Sequence, residues 1–272
     1  HCVGGICAIV HSGNSVFDGC YNYGKVSSVD DSGSLSKNSA SAVGGIIGRL
    51  GNYSTQYNTK LAFDIKEGGG FNANVKNCHN IGIVEHGVIS TAPVISAEKQ
   101  SGARTGCVGG IVGYANGLKN TPVEITGCSN TGIVKGGYSI NCVMGGICGQ
   151  TNYVNITDCT VEARFEDSET AKHQLSAVGG FVGVSLLGLT VKDSFVDISG
   201  SLTPSPVGIG VLQGFVKSGT PKYTGIQIRA NLTYNKGAGK LEVTQENVET
   251  ASLYGPTTLM TSGITYWNKS EL

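Results

Sequence analysis

Nine cysteines, five histidines and two repeated pairs of carboxylates are the groups in this chain whose types and spacing could do chemistry. Cys20, Cys78, Cys128 and Cys159 each open a recurring segment, in its fullest form Cys78-His79-Asn80-Ile81-Gly82-Ile83-Val84, and Ser194 continues the series. Zinc would want clustered Cys-x-x-Cys pairs closing a tetrahedron, whereas these cysteines come one per repeat. A thiolate nucleophile needs an adjacent base or positive field, and no Cys/His pair recurs at any motif position. His1, His11, His79, His86 and His173 share no motif position and no i, i+4 spacing, so neither a zinc site nor a Ser/His/Asp set assembles from spacing. The cysteines therefore read as an inward ladder of small buried hydrophobes.

The carboxylates invite a sharper reading. Asp158 and Asp193 stand just before the ladder position in successive repeats, and Glu162 and Asp197 form a second equivalent pair. On adjacent strands each pair would sit about 4.8 Å apart. Like charges that close would suit a calcium ion or an acid-base pair of a carbohydrate-active enzyme. An outward orientation, with Lys192 and Arg164 nearby in sequence, favours a solvated face instead. No catalytic, metal or cofactor-binding residue is assigned. Asn22, Asn80 and Asn130 follow the cysteines by two residues and share their side of the strand, so these amides can bond one another or the turn backbone. Asn52, Asn155, Asn231 and Asn268 match N-x-S/T, which matters where the source glycosylates secreted proteins.

What must position these groups is a repeat. Val3-Gly4-Gly5-Ile6-Cys7, Val43-Gly44-Gly45-Ile46-Ile47-Gly48, Val108-Gly109-Gly110-Ile111-Val112-Gly113, Met144-Gly145-Gly146-Ile147-Cys148-Gly149 and Val178-Gly179-Gly180-Phe181-Val182-Gly183 are five copies, and a weaker sixth is expected at Val207-Gly208-Ile209-Gly210. Segments are short, β-branched and bounded by Gly, Asn, Asp and Ser, with inserts of elastic length at fixed places. That pattern predicts an all-β fold, a β-solenoid of five to six coils over 1–214, with the paired glycines serving tight packing or positive-φ corners. Alternation through Ile226, Ile228, Ala230, Leu232 and Tyr234, then a turn and Leu241-Glu242-Val243-Thr244, predicts a C-terminal β cap or appended hairpin over 215–272. Within the array the ladder thiols should stay free, because parallel Cβ atoms about 4.8 Å apart exceed the 3.5–4.5 Å usual for a disulfide. Cys107 and Cys142, near the start of successive repeats, are the pair placed to bridge.

The Val-Gly-Gly-Ile-x-Gly segment followed by a strand and Cys-x-Asn-x-Gly-x-Val resembles the GLUG motif repeat of bacterial surface proteins, over roughly residues 2–200. The resemblance implies a β-helix-like array in secreted or cell-wall adhesins, or in non-catalytic parts of large secreted peptidases. The fourth and fifth copies depart from it by losing Asn and Gly from the second half.

Composition narrows the function classes. Lys+Arg and Asp+Glu balance at 19 each and no basic run appears, which argues against nucleic acid as a partner. Nothing approaches the roughly 18 continuous apolar residues of a membrane span. The chain opens inside the motif, so further repeat sequence is expected upstream. The expectation is a non-enzymatic binding or structural module without cofactor, extracellular or on the cell surface. Its partners would be a host or matrix glycan or protein, or a neighbouring cell-surface protein. The inserts at 49–74 and 85–106, with Tyr53, Tyr57, Phe63 and Phe71, are the candidate contact residues.

Overall fold

A computed structural model of the chain describes residues 2–11, 13–30, 41–51, 71–88, 105–136, 141–167, 175–203, 208–251 and 264–269. The protein is all-β, with parallel strands stacked in four sheets; the one helix among the described residues is the single turn Val248–Ala251. None of the described helical structure is long and apolar enough to cross a membrane.

Over the described residues the chain makes six passes and gives each sheet a strand on every pass. In the third pass these are Thr105–Gly109, Val112–Asn116, Val123–Thr126, and then Ser129–Asn130 with Ile133–Gly136. Alternation places the core: in Val123–Thr126, Val123 and Ile125 are buried while Glu124 and Thr126 are half-buried. Counterparts lie level, Val108 between Val43 and Met144, and Ile125 between Val75 and Ile156. Ile46, Ile111, Ile147 and Phe181 form one fully buried column, joined by amide-to-carbonyl bonds of 2.9–3.1 Å from each residue to the next pass. Full burial of such a side chain contributes roughly 1.5–3 kcal/mol.

Between the first and second sheets the chain reverses through two residues, Gly45-Ile46 in the second pass, and the flanking strands pair with their counterparts above and below rather than with each other. Two backbones meet inside that arch. A Cβ on Gly48 would lie 2.7 Å from Val3 N and 2.7 Å from Ala8 O, and one on Gly44 would lie 2.7 Å from Gly113 N. These motif glycines do not have positive φ. Of the two roles expected from sequence, close approach is the one they serve.

The second motif glycine is constrained by the following pass. A Cβ on Gly110 would strike the Gly146 carbonyl oxygen and the Asn130 amide, and one on Gly180 would strike the Val211 carbonyl oxygen. Among the described residues no strand of the first sheet lies beyond the sixth pass, and there a valine occupies this place. Gly179 lies level with Gly210 and Val182 with Gln213, so the sixth copy is Ile209-Gly210-Val211-Leu212-Gln213-Gly214. This corrects the sequence alignment by two residues.

The boundary expected at 214/215 falls inside the strand Gln213–Val216, and the sixth pass continues through Lys222–Thr224 and Ile226–Tyr234. The expected hairpin follows: Gly239–Val243 pairs antiparallel with Ile226–Tyr234 across a turn in which Asn235, Lys236 and Gly237 have positive φ. Ile264–Tyr266 pairs with the first residues of the same strand, so both halves of that edge are occupied. The two long inserts are also shorter than expected. Phe71–Lys76 pairs with Gly13–Asp18, and Ile83–Val88 with Val26–Asp30, because the neighbouring pass offers each an edge.

Gly110→Ala is expected to lower stability by about 3 kcal/mol, because carbonyl and amide close the site from two sides. A urea midpoint equal to that of the wild type would show that the passes are not held at this spacing.

Candidate functional site

The cysteine column stands one residue per pass, as its spacing implied. Cys128 Sγ donates to Thr126 O and Val75 O at 3.5 Å each, and Cys159 Sγ to Thr157 O at 3.3 Å and Ile125 O at 3.6 Å. Ser194 Oγ repeats the local bond, to Lys192 O at 2.6 Å. All nine cysteines are free thiols and six of them are buried. The Cys107–Cys142 bridge is excluded by register. Cys142 lies level with Gly106, and Cys107 with Val143. An offset of one residue turns the side chains to opposite faces. Cys142 joins the main core, while Cys107 joins a second cluster with Ala42, Val143 and Ala177.

The asparagines form the expected ladder. Asn22 Nδ2 donates to Asn80 Oδ1 at 2.7 Å, Asn80 Nδ2 to Asn130 Oδ1 at 2.8 Å, and Asn130 Nδ2 to Gly146 O at 2.9 Å. Each amide also fixes its own turn through the glycine two residues on, as in Gly132 N to Asn130 Oδ1 at 3.1 Å.

Asp158 and Asp193 belong to a backbone device. Gly19, Asn77, Gly127, Asp158, Asp193 and Gly225, each just before the ladder position, have φ between 48° and 63°. Every pass turns a left-handed corner here, and Gly, Asn and Asp are the residues that tolerate it. Both aspartates are exposed. Glu162 and Asp197 do lie level, with Arg229 completing the column. Asp197 pairs with Arg229 at 2.5 Å, and Glu162 with Lys269. The Asp197 hydrogen bond holds the Arg229 guanidinium above its already high ordinary pKa. The cations near in sequence are otherwise engaged or elsewhere: Arg164 pairs with Glu166 at 2.7 Å, and Lys192 is exposed at the corner preceding Ser194. Among the described residues no group of three or more His, Cys, Asp or Glu is placed to hold a metal ion.

Three contacts escaped sequence reasoning. His86, 2% exposed, meets Ser41 through Nε2 and Oγ across 45 residues of chain. A serine on a histidine is the start of nucleophile activation, but burial shuts this imidazole away from a reacting carbonyl, and the contact serves as an internal hydrogen bond. Arg49, also buried, lies 5.0 Å over the Tyr114 ring. On the outer face of the fourth sheet, Tyr21 and Tyr23 are 50% and 70% exposed, with rings 6.0 Å apart and within 9° of parallel. Tyr21 also stands 4.7 Å from the His79 ring, and His79 Nδ1 meets Ser129 Oγ at 2.7 Å. The signal for this pair was present: tyrosines on either side of an inward asparagine must both face out.

Of the contact residues expected from sequence, Tyr53, Tyr57 and Phe63 lie outside the described residues, as does Asn52. Phe71 opens a strand, level with Gly13, and is not on a loop. Asn155 Nδ2, the atom a glycan would occupy, donates to Glu124 Oε1 at 2.7 Å. Asn231 is exposed on Ile226–Tyr234, and Asn268 is half-buried just past Trp267.

The thiols yield a pH test. A hydrogen bond to the Cys159 thiol, assisted by burial, pushes Cys128 up from 9.0 to about 12; the Cys78 thiol acts in the same way on a smaller scale in the opposite direction. Cys78 is raised chiefly by its bond to Cys128, and Cys107 and Cys148 chiefly by burial. Raised folded-state values mean that the stability held in the neutral thiols is complete below the unfolded value near 9.0 and is lost as pH climbs toward 12. The urea midpoint should therefore be flat to about pH 8 and fall above about pH 9. A midpoint that rises over that upper range would place the thiols in an environment that favours thiolate.

No protein-family model, no curated protein and no solved structure matches the chain.

Proposed function

We propose that the chain is a β-solenoid of six coils, of the GLUG-repeat kind, and that it acts as an extracellular or cell-surface binding and structural module rather than an enzyme. In-register stacking of four parallel sheets supports the solenoid. The observation that carries the functional reading is the state of the outer carboxylates. Glu162 and Asp197 lie in one flat column, each with its own cation, and Asp158 and Asp193 turn corners. An acid-base pair needs two carboxyls facing one substrate bond with their pKa values driven apart. A neutralised wall offers instead a rigid surface for recognition, with a glycan or protein of the host, the matrix or a neighbouring cell as partner. The segments that include Tyr53, Tyr57 and Phe63 are the further contact candidates.

The test is a glycan and protein array probed with the whole chain and with a version in which residues 52–70 are replaced by a short turn, the two being matched by thermal unfolding. Binding by the whole chain supports the module, and its loss in the shortened version assigns the contact to that insert. A whole chain that binds nothing on the array would leave a spacer and remove recognition from the reading.

A further inference from the structure

We infer that Val211 is a stop built into the stack: it closes the sixth-pass end of the first two sheets to any further parallel pass, whether that pass comes from this chain or from a second copy of it.

In passes two to five the arch carries three glycines, and each answers to a different neighbour. In the fourth pass a Cβ on Gly145 would lie 1.9 Å from Cys148 O of the same pass, and one on Gly149 would lie 2.5 Å from Val108 N of the pass before. The middle glycine answers to the pass that follows. A Cβ on Gly45, Gly110, Gly146 or Gly180 would lie 2.2, 2.2, 2.1 or 1.9 Å from the carbonyl oxygen of its counterpart one pass on, where real Cβ contacts stay above 3.0 Å. Side chains of the fourth sheet also approach, Val161 at 2.4 Å from a Cβ on Gly146 and Val196 at 2.5 Å from one on Gly180. A side chain can shift, whereas a carbonyl in a stacked backbone cannot.

The sixth pass keeps the two outer glycines and replaces the middle one. A Cβ on Gly210 would still lie 2.0 Å from Gln213 O, and one on Gly214 would lie 2.7 Å from Val178 N of the fifth pass. Those two are required by what is already in place. Val211 stands where the requirement comes from the following pass, and there a branched residue is seated, 3% exposed and within the main core. Its backbone keeps the course of the earlier arches: Gly179 lies level with Gly210, and Gly180 N donates to Gly210 O at 3.2 Å as Gly146 N does to Gly179 O at 3.3 Å. The Cβ of Val211 thus occupies the place that the next carbonyl would need.

No rotamer relieves this collision, because Cβ and carbonyl are both fixed by backbone. Moving the incoming carbonyl to contact distance takes about 1 Å, which is enough to break inter-pass bonds such as Ile46 N to Ile111 O at 3.1 Å. A second copy laid on in register brings its own carbonyl to the same point. An open sheet edge is a template for pairing, and the fourth sheet meets that hazard differently, with Gly239–Val243 and Ile264–Tyr266 laid on Ile226–Tyr234. For the first two sheets one side chain does it.

The experiment lengthens the stack. A second copy of residues 175–202, preceded by residues 203–207, is inserted after Tyr234 in the whole chain, with position 211 left as it is or changed by Val211→Ala or Val211→Gly. Circular dichroism first establishes that all three chains retain the β-sheet signal of the wild type. The added pass should stack in the Val211→Gly chain alone, so that brief trypsin cleavage at the copied Lys192, located by fragment mass, slows at least about tenfold and the urea m-value rises by roughly one-sixth. Val211→Ala separates the Cβ from the bulk of the valine and should leave the insert as open to trypsin as valine does. Protection of the insert with valine or alanine in place overturns the stop, because a Cβ then excludes nothing. Equal cleavage in all three chains overturns it as well, because something other than Val211 then ends the stack.

Discussion

Everything in this fold depends on the distance between successive passes. Parallel strands repeat at about 4.8 Å, so each residue must fit directly above its counterpart and no side chain can claim more axial room than that. The arch is where the limit is felt most sharply, because there a backbone faces another backbone as well as its own copies. Gly44 and Gly48 are required by the opposing strand, and Gly45 by the carbonyl of the pass above. Val211 shows the rule by its exception: a branched side chain stands at this position in the sixth pass, the last one among the described residues of this sheet.

The same spacing turns polar groups into ladders. A buried amide that lost its partner would cost roughly 1–3 kcal/mol, so the asparagine column needs an acceptor at its upper end, and Asn130 finds one in Gly146 O. From the next pass upward the column is Val161, Val196 and Ile228, and the backbone changes with it. The local bond between an asparagine and the glycine two residues on divides the strand in the first three passes. With valine in place the two short pieces fuse into Thr160–Asp167. Loss of Asn and Gly from the later copies is therefore a change of strand path as well as of sequence.

Much of this was legible in the chain. The cysteine and asparagine columns, the fixed strands and the terminal hairpin follow from period and alternation, since stacking copies one residue type onto itself. What escaped were contacts that register creates between unrelated residues. Arg229 reaches Asp197 and Lys269 reaches Glu162 across 32 and 107 residues, and no spacing rule links them. The aspartates misled for a related reason. A recurring Asp before the ladder looks like paired charge, yet with Gly and Asn in the same column it marks a left-handed corner. Reading all six members of the column, rather than the two that carry charge, would have given the answer.

Because the inner faces are committed to stacking, chemistry is left to the outer columns and the corners, and these differ from pass to pass. One outer column of the fourth sheet runs from Tyr21 through a histidine, two hydroxyl residues and Phe195 to Gln227. Its aromatic members are Tyr21 and Phe195, and Phe195 lies level between Thr160 and Gln227. Between them stand His79, Ser129 and Thr160, of which His79 Nδ1 meets Ser129 Oγ at 2.7 Å. The C-terminal segment seats Trp267 on Phe195, with ring centroids 5.4 Å apart. In the first pass the buried Asn22 amide fixes the turn between Tyr21 and Tyr23, so the outer residues are free to differ from pass to pass while the inner column keeps its register.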